Sequence, residues 1–163
     1  MMRITFARWE LDCDAAITRE LFSRVPSGSP EVCGCAPCRN FAAARGQVYA
    51  IEILSLFDSL GIAPNREAEL YHTHRIEPGK HHYGGWFHFV GKILSGSDAA
   101  KQIGTTKAGP VWGFDLEKVG ADFELGFTQR IGLLEKPFEG HPVLQLEFQA
   151  KVPWLLLEAE PET

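Results

Sequence analysis

The chain has 163 residues, with 16 Lys and Arg against 21 Asp and Glu, so its formal net charge is −5 at neutral pH. This length is enough for one domain with a core, and a content of 45% hydrophobic and 23% charged residues excludes a disordered chain. The acidity argues against nucleic-acid binding, because such domains carry a basic face that replaces phosphate counterions. Four cysteines are too few for a disulfide scaffold.

The N-terminal segment, residues 1–14, contains Arg3 and Arg8 and no continuous apolar run, so it does not predict a signal peptide. No stretch approaches the roughly 20 apolar residues of a membrane helix. We therefore expect a cytoplasmic protein whose thiols stay reduced or bind metal, with no nucleic-acid or membrane partner. The sequence leaves open which protein or small molecule it binds.

The first part of the chain predicts one strand and then helices. Residues 3–11 alternate as a strand, and residues 14–25 favour a short helix capped by Asp14, with a hydrophobic strand as the competing interpretation. A second helix is expected over about residues 36–45, ending or kinking at Gly46. A broad apolar stripe then predicts a helix that ends at Gly61.

From Glu69 onward the apolar pattern alternates, which predicts antiparallel sheet. Strands are expected at 69–76 and 82–94, joined by a type II turn with Pro78 and Gly79 at its central positions.

The remainder of the chain predicts a long polar loop over residues 95–110, then strands at 111–117 and 122–130. The last strand has the clearest alternation, with one apolar face and one polar face that we expect to be exposed to solvent. The apolar face holds Leu144, Leu146, Phe148, Ala150 and Val152, and the polar face holds Gln145, Glu147, Gln149 and Lys151.

These elements predict a single α+β domain over residues 1–157. Its antiparallel sheet would have about five to six strands, with about two or three helices packed on one face. The acidic tail, residues 158–163, is expected to be disordered.

The sharpest motif is Cys33-Gly34-Cys35-Ala36-Pro37-Cys38, with three thiols at a predicted helix start. Thiolates at this spacing can share one soft ion, such as a structural zinc, and the dipole of the predicted helix is expected to favour the ionised form of Cys38. A closed zinc site needs a fourth ligand, for which Cys13 is the remaining cysteine. The alternative ligands are histidines: His72, His74, His81, His82 and His88.

Two other interpretations of the cluster stay open. The cysteines are small residues that can simply pack the helix start. Alternatively, Cys35 and Cys38 flank Ala36-Pro37 in a way that resembles the active-site segment of thioredoxin-like proteins, which implies a thiol-disulfide redox enzyme. Against that resemblance, no hydrophobic strand precedes the motif, Cys33 adds a third thiol, and hairpins follow instead of a βαβ unit.

Histidines and aromatic residues share the predicted hairpin, so metal ligation or general-base chemistry is one interpretation. Half-buried or turn-flanking sheet residues are the simpler one, because no HExxH-type motif occurs. A pocket for something flat and apolar is the remaining candidate. It would be lined by Tyr71, His72, His74, Trp86 and His88.

The segments Cys33–Phe41, Leu60-Gly61-Ile62 and Tyr83–Gly91 together resemble a family of small uncharacterised bacterial proteins that has no assigned activity. The likeness covers about residues 33–91 and is weaker around Val152-Pro153-Trp154. It implies a stand-alone bacterial domain and transfers no catalytic residue. We expect a non-enzymatic binding or accessory protein whose cysteines pack a helix start or hold zinc. A redox enzyme using Cys35 and Cys38 is the alternative, so the sequence leaves enzymatic activity open.

Overall fold

In a computed structural model that describes residues 1–163, the chain begins with an antiparallel hairpin. Its strands are β1 (Met2–Phe6) and β2 (Trp9–Cys13). The prediction of one strand over residues 3–11 is therefore wrong. The turn places Ala7 at a φ of 49°, and neither Ala7 nor Arg8 is a residue type that signals a turn.

Four helices follow, and two of their predicted ends are confirmed. They are α1 (Ala15–Phe22), α2 (Ser29–Cys33), α3 (Ala36–Val48) and α4 (Ile51–Leu60). Asp14 caps α1, accepting a hydrogen bond from the Ile17 N–H at 3.0 Å. Gly61 ends α4 with a φ of 82°, a conformation that residues with a Cβ rarely adopt.

One short helix was not predicted, and the predicted break at Gly46 is wrong. The unpredicted helix is α2, which has Pro30 in its first turn and Gly34 directly after it. The helix α3 runs through Gly46 without a break and ends before Tyr49 and Ala50. A single glycine costs about 1 kcal/mol inside a helix, which the packing of its neighbours offsets.

We expect Asp14→Ala to lower the free energy of unfolding by about 1 kcal/mol, because the first turn of α1 loses its side-chain acceptor. Urea denaturation measures the change. The matched variant Asp14→Asn keeps an acceptor oxygen and retains most of the stability; equal losses in the two variants would contradict the capping role.

The main sheet has seven antiparallel strands, which confirms the α+β class with more strands and helices than predicted. Its later strands are β3 (Glu69–Glu77), β4 (Lys80–Ser95), β7 (Glu117–Lys118), β8 (Phe123–Thr128) and β9 (Val143–Pro153). The order is β1-β2-β4-β9-β8-β7, and β3 also pairs with β4. The long strand β4 is thus central and carries β2 and β3 along one edge.

The predicted loop over residues 95–110 is wrong. Strands β5 (Ala100–Thr106) and β6 (Gly109–Phe114) form a separate hairpin there. Most of its residues are exposed on both faces, so burial imposes no apolar alternation on the sequence. Buried Ala99 joins it to the main sheet, since its N–H donates to the Phe127 carbonyl at 2.9 Å.

Helices α3 and α4 cover one face of the main sheet through aromatic contacts. Phe148 of β9 lies at the centre, with its ring centroid 6.1 Å from Phe41 and 5.9 Å from Phe87. Tyr49 and Phe57 extend this cluster, their ring centroids 5.2 Å apart. The predicted apolar face of β9 is therefore confirmed as core.

The opposite face of β9 departs from the prediction. Gln149 is partly exposed and Lys151 is exposed, but Gln145 and Glu147 are buried. The segment after β8 folds across this part of the sheet, and its Gly132 N–H donates to the Gln145 Oε1 at 2.9 Å. Alternation along one strand cannot show that a distant segment returns to cover its polar face.

The tail, residues 158–163, forms neither helix nor strand. Two of its carboxylates contact the domain: Glu158 pairs with Arg39 at 2.6 Å and Glu160 with His81 at 2.8 Å. None of the helices in the structure has the length and apolar character needed to cross a membrane.

Candidate metal centre

The three clustered cysteines lie at the junction of α2 and α3. Cys33 is the last residue of α2, and Gly34 follows with a φ of 68°, which turns the chain sharply. Cys35 is the N-cap of α3 and Cys38 lies in its first turn. The local sequence explains this arrangement, because Gly34 accepts the left-handed conformation and Pro37 suits the first turn of a helix.

The junction brings the Sγ atoms of Cys33, Cys35 and Cys38 within 4.8 Å of one another. Thiolates bound about 2.3 Å from a tetrahedral zinc ion lie about 3.8 Å apart, so small side-chain rotations suffice to close the group around one ion. Cys33 and Cys35 are exposed, whereas Cys38 is 7% exposed. The cluster can therefore hold one metal ion, compatible with zinc, that is reached from solvent.

The thiols do not share equal acidity. The backbone N–H of Cys35 holds the pKa of Cys33 below its usual range, and the thiols of Cys35 and Cys38 add to this effect. Burial raises the pKa of Cys38 well above its usual range, and hydrogen bonds to its two neighbours act in the same direction. A metal ion binds the thiolate form of cysteine, so metal binding at this cluster releases the thiol protons.

An ionic network centred on the buried Glu67 links α2 to α3. Arg45 of α3 donates to Glu31 of α2 at 2.7 Å and to Glu67, just before β3, also at 2.7 Å. Glu67 is fully buried and accepts a further hydrogen bond from the Tyr49 hydroxyl at 2.7 Å. Cys35 and Cys38 lie at the start of α3 and Cys33 ends α2, so this network helps to set the distance between the thiols.

Contacts with the sheet hold the start of α3. The Tyr83 hydroxyl of β4 donates to the Pro37 carbonyl at 2.7 Å. The Asn40 side chain donates to the Pro153 carbonyl at 3.0 Å and accepts from the Leu155 N–H at 2.6 Å. The cysteine segment therefore rests on the core at β4 and at the end of β9.

The predicted fourth ligands do not join the three thiols. Cys13 is buried in β2 opposite Gly91, and burial raises its pKa to about 12, with Asp12 adding to the effect. The group of potential ligand atoms around the cluster contains the three thiols and no histidine or carboxylate. Spacing along the chain could not show this, because Cys13 lies in β2, which pairs with the end of β4, whereas the cysteine cluster rests near the start of β4.

The histidines of the β3–β4 hairpin form two separate sets on this part of the sheet. His72 Nε2 lies 2.8 Å from His81 Nδ1, and His81 Nε2 lies 2.8 Å from Glu160 Oε2, which forms a hydrogen-bonded chain. His74 stacks on His82 with ring centroids 5.2 Å apart. The first set lies on the helical face of the sheet, because His72 is paired opposite Tyr83, whereas His74 and His82 lie on the face that carries Tyr71 and Trp86.

His88 is fully buried on the same face of β4 as Trp86, and the segment after β8 covers it. Its Nε2 lies 3.1 Å from the Gly132 carbonyl, and its Nδ1 lies 3.6 Å from the Glu135 Oε1. Of the five predicted pocket residues, only Tyr71 and Trp86 line a common cleft. His72 and His74 pair with other histidines, and His88 lies beneath the surface.

Sequence reasoning missed two polar groups that matter here. Glu67 and Arg45 lie 22 positions apart in irregular and helical segments, and no spacing rule connects them. The alternation along β9 predicts that Glu147 faces solvent, but the residue is only 1% exposed. A long-range contact map, which a single sequence does not supply, is the signal that would have found both.

Comparison of the chain with protein-family models, with curated proteins and with solved structures finds no match. The candidate site therefore stands on its own geometry.

Proposed function

We propose that this chain is a metal-binding protein in which Cys33, Cys35 and Cys38 hold a single zinc ion. The observation that carries the proposal is the approach of three Sγ atoms to within 4.8 Å at the start of a helix. The ion would tie the five-residue α2 to α3. We further propose a binding or accessory role, without catalysis by the metal.

The solvent exposure of two of the three cysteines favours a metal-binding role over simple packing of the helix start. A cysteine that only packs a helix start is buried, as Cys38 is, and burial is the usual state of a free cysteine. Cys33 and Cys35 are exposed, so packing of the core does not require a cysteine at either position. A shared metal ion gives both thiols a role, which supports the proposal.

Three protein thiolates leave one position of a tetrahedral ion for water or for a donor from a partner. Thiolates are strongly electron-donating ligands, and three of them reduce the positive charge that polarises a bound water. This electronic effect supports a binding role. Soft thiolate ligands are also those that zinc and copper(I) prefer over magnesium or calcium.

A thiol-disulfide redox function is the second candidate, and the pairing of an exposed Cys35 with a buried Cys38 favours it. Cys35 at the N-cap would be the attacking thiol, and Cys38 would resolve the mixed disulfide. The two electrons would pass to a disulfide of the substrate, whose sulfurs would leave as thiols.

The test uses reduced protein purified without added zinc. We expect one zinc per chain by elemental mass spectrometry after reconstitution and gel filtration. At a free zinc concentration of about 100 times Kd, binding stabilises the fold by about 2.7 kcal/mol. For a domain of this size, that raises Tm by roughly 5–10 °C. Chelation reverses the shift.

Cys33→Ser and Cys35→Ser should each weaken zinc binding by more than about a hundredfold, because each loses a direct ligand. Cys13→Ala is the matched control and keeps the stoichiometry, since Cys13 lies outside the cluster. Folded, reduced wild-type protein that takes up no zinc and shows no change in Tm would overturn the proposal. In that case, a reversible Cys35–Cys38 bridge, mapped after mild oxidation, would support the redox function.

A further inference from the structure

A second feature, on the sheet face away from α3 and α4, is an open cleft with a volume of about 730 Å³. Its floor belongs to the main sheet, where Tyr71, Trp86 and Glu147 lie on β3, β4 and β9. Trp112 and Phe114 of the separate β5–β6 hairpin form another wall. The cleft thus lies between two sheets that are joined by short segments.

One carboxylate in this cleft lacks a full set of partners. The side chain of Glu147 is 1% exposed, and its Oε2 accepts a hydrogen bond from Gln145 Nε2 at 2.7 Å. Its Oε1 accepts no hydrogen bond within the chain and is not sealed from solvent, and the residue lines the cleft. A donor from a ligand in the cleft can therefore reach this oxygen and form a charge-assisted hydrogen bond with the carboxylate.

The Tyr71 phenol is affected by the negative charge in this part of the cleft. Burial raises the pKa of Tyr71 to about 12, and the carboxylates of Glu147 and Glu69 add to the effect. Glu69 also lines the cleft. The floor of the cleft therefore combines two acidic side chains with the faces of aromatic rings.

The aromatic wall already holds a planar cation. The guanidinium carbon of Arg130 lies 3.8 Å from the centroid of the Trp112 ring, which is the geometry of a cation–π contact. The Tyr71 and Trp86 rings lie 6.3 Å apart by centroids on the other side of the cleft. The dimensions and chemistry of these walls suit a flat, positively charged group.

We infer that this cleft binds a flat organic cation with N–H donors, such as an aryl amidinium or a protonated amino-heterocycle. Glu147 Oε1 accepts the N–H donor, and the aromatic side chains contact the faces of the ligand. The two carboxylates supply the charge complementarity, and the exposed β5–β6 hairpin leaves the cleft open to solvent. This binding site is independent of the cysteine cluster, which lies on the helical side of the sheet.

The test is isothermal titration of the full chain with benzamidinium and with benzamide, its uncharged isostere, at pH 8. We expect benzamidinium to bind about tenfold to a hundredfold more tightly, because a charge-assisted hydrogen bond to a buried carboxylate replaces a neutral one. The Trp112 indole resonance, followed by ¹⁵N NMR, should shift on binding. At pH 5, where Glu147 is protonated, the preference should fall to near unity.

The variant Glu147→Gln keeps the shape of the cleft and should abolish the preference for benzamidinium. Trp112→Ala removes an exposed wall residue and should weaken both probes while retaining the preference. Absence of benzamidinium binding to folded wild-type protein, or an undiminished preference in Glu147→Gln, overturns the inference. Far-ultraviolet circular dichroism of each variant shows that the fold is intact.

Discussion

Replacing Glu67 by Ala should lower the free energy of unfolding by about 3–5 kcal/mol, the cost of removing one partner from a buried ion pair. Glu67 is fully buried and accepts hydrogen bonds from Arg45 and from the Tyr49 hydroxyl. Without Glu67, the buried phenol and a largely buried guanidinium lose that acceptor. Urea denaturation at neutral pH measures the change.

The same substitution should also weaken zinc binding, because Arg45 links α3 to Glu31 of α2 and to Glu67. The matched control is Glu31→Ala. Its carboxylate is 39% exposed, so its loss should cost no more than about 1 kcal/mol. Similar losses of stability in the two variants would show that burial of Glu67 is not what makes the network important.

The second large effect concerns Glu147 and pH. Burial raises the pKa of Glu147 from its ordinary value of 4.5 to about 7, although the hydrogen bond from Gln145 acts in the opposite direction. The folded state therefore binds the proton more tightly than the unfolded state. The resulting stability is fully present below pH 4.5 and is lost as the pH rises through about 7. The loss amounts to about 3 kcal/mol.

We expect Glu147→Gln to remove this pH dependence. At pH 4 the variant and the wild type should differ little, and at pH 8 the variant should be the more stable by about 3 kcal/mol. The difference between the two profiles, measured by urea denaturation from pH 4 to pH 8, isolates Glu147 from the other carboxylates. Glu139→Gln, at an exposed position, is the control and should follow the wild type. A constant difference across this range would contradict a raised pKa.

The two predictions concern opposite faces of the main sheet. Glu67 supports the junction of α2 and α3, where the cysteines lie, and Glu147 lies in the cleft beneath the β5–β6 hairpin. Each is a buried carboxylate, but Glu67 has ionic and hydroxyl partners whereas Glu147 has one amide donor. That difference explains why we expect the loss of Glu67 to destabilise the fold and neutralisation of Glu147 to stabilise it at high pH.

Local sequence was informative where local physics decides the structure. Asp14 and Gly61 mark helix ends because their preferences act within one turn. The apolar alternation of β9 identified its core face, since side chains on a strand alternate with a period of two. Local sequence was less informative at β5 and β6, where both faces are largely exposed and no apolar pattern is required.

By itself, the sequence determined that the chain forms an α+β domain and that three cysteines meet at a helix start, because six consecutive residues must stay close together. Only the tertiary structure decided which residues approach one another from distant segments. It places Cys13 apart from the cluster, pairs His72 with His81, and buries Glu147 in a cleft. These outcomes depend on strand order and on which segment covers each face, and neither is encoded in the spacing of residues along the chain.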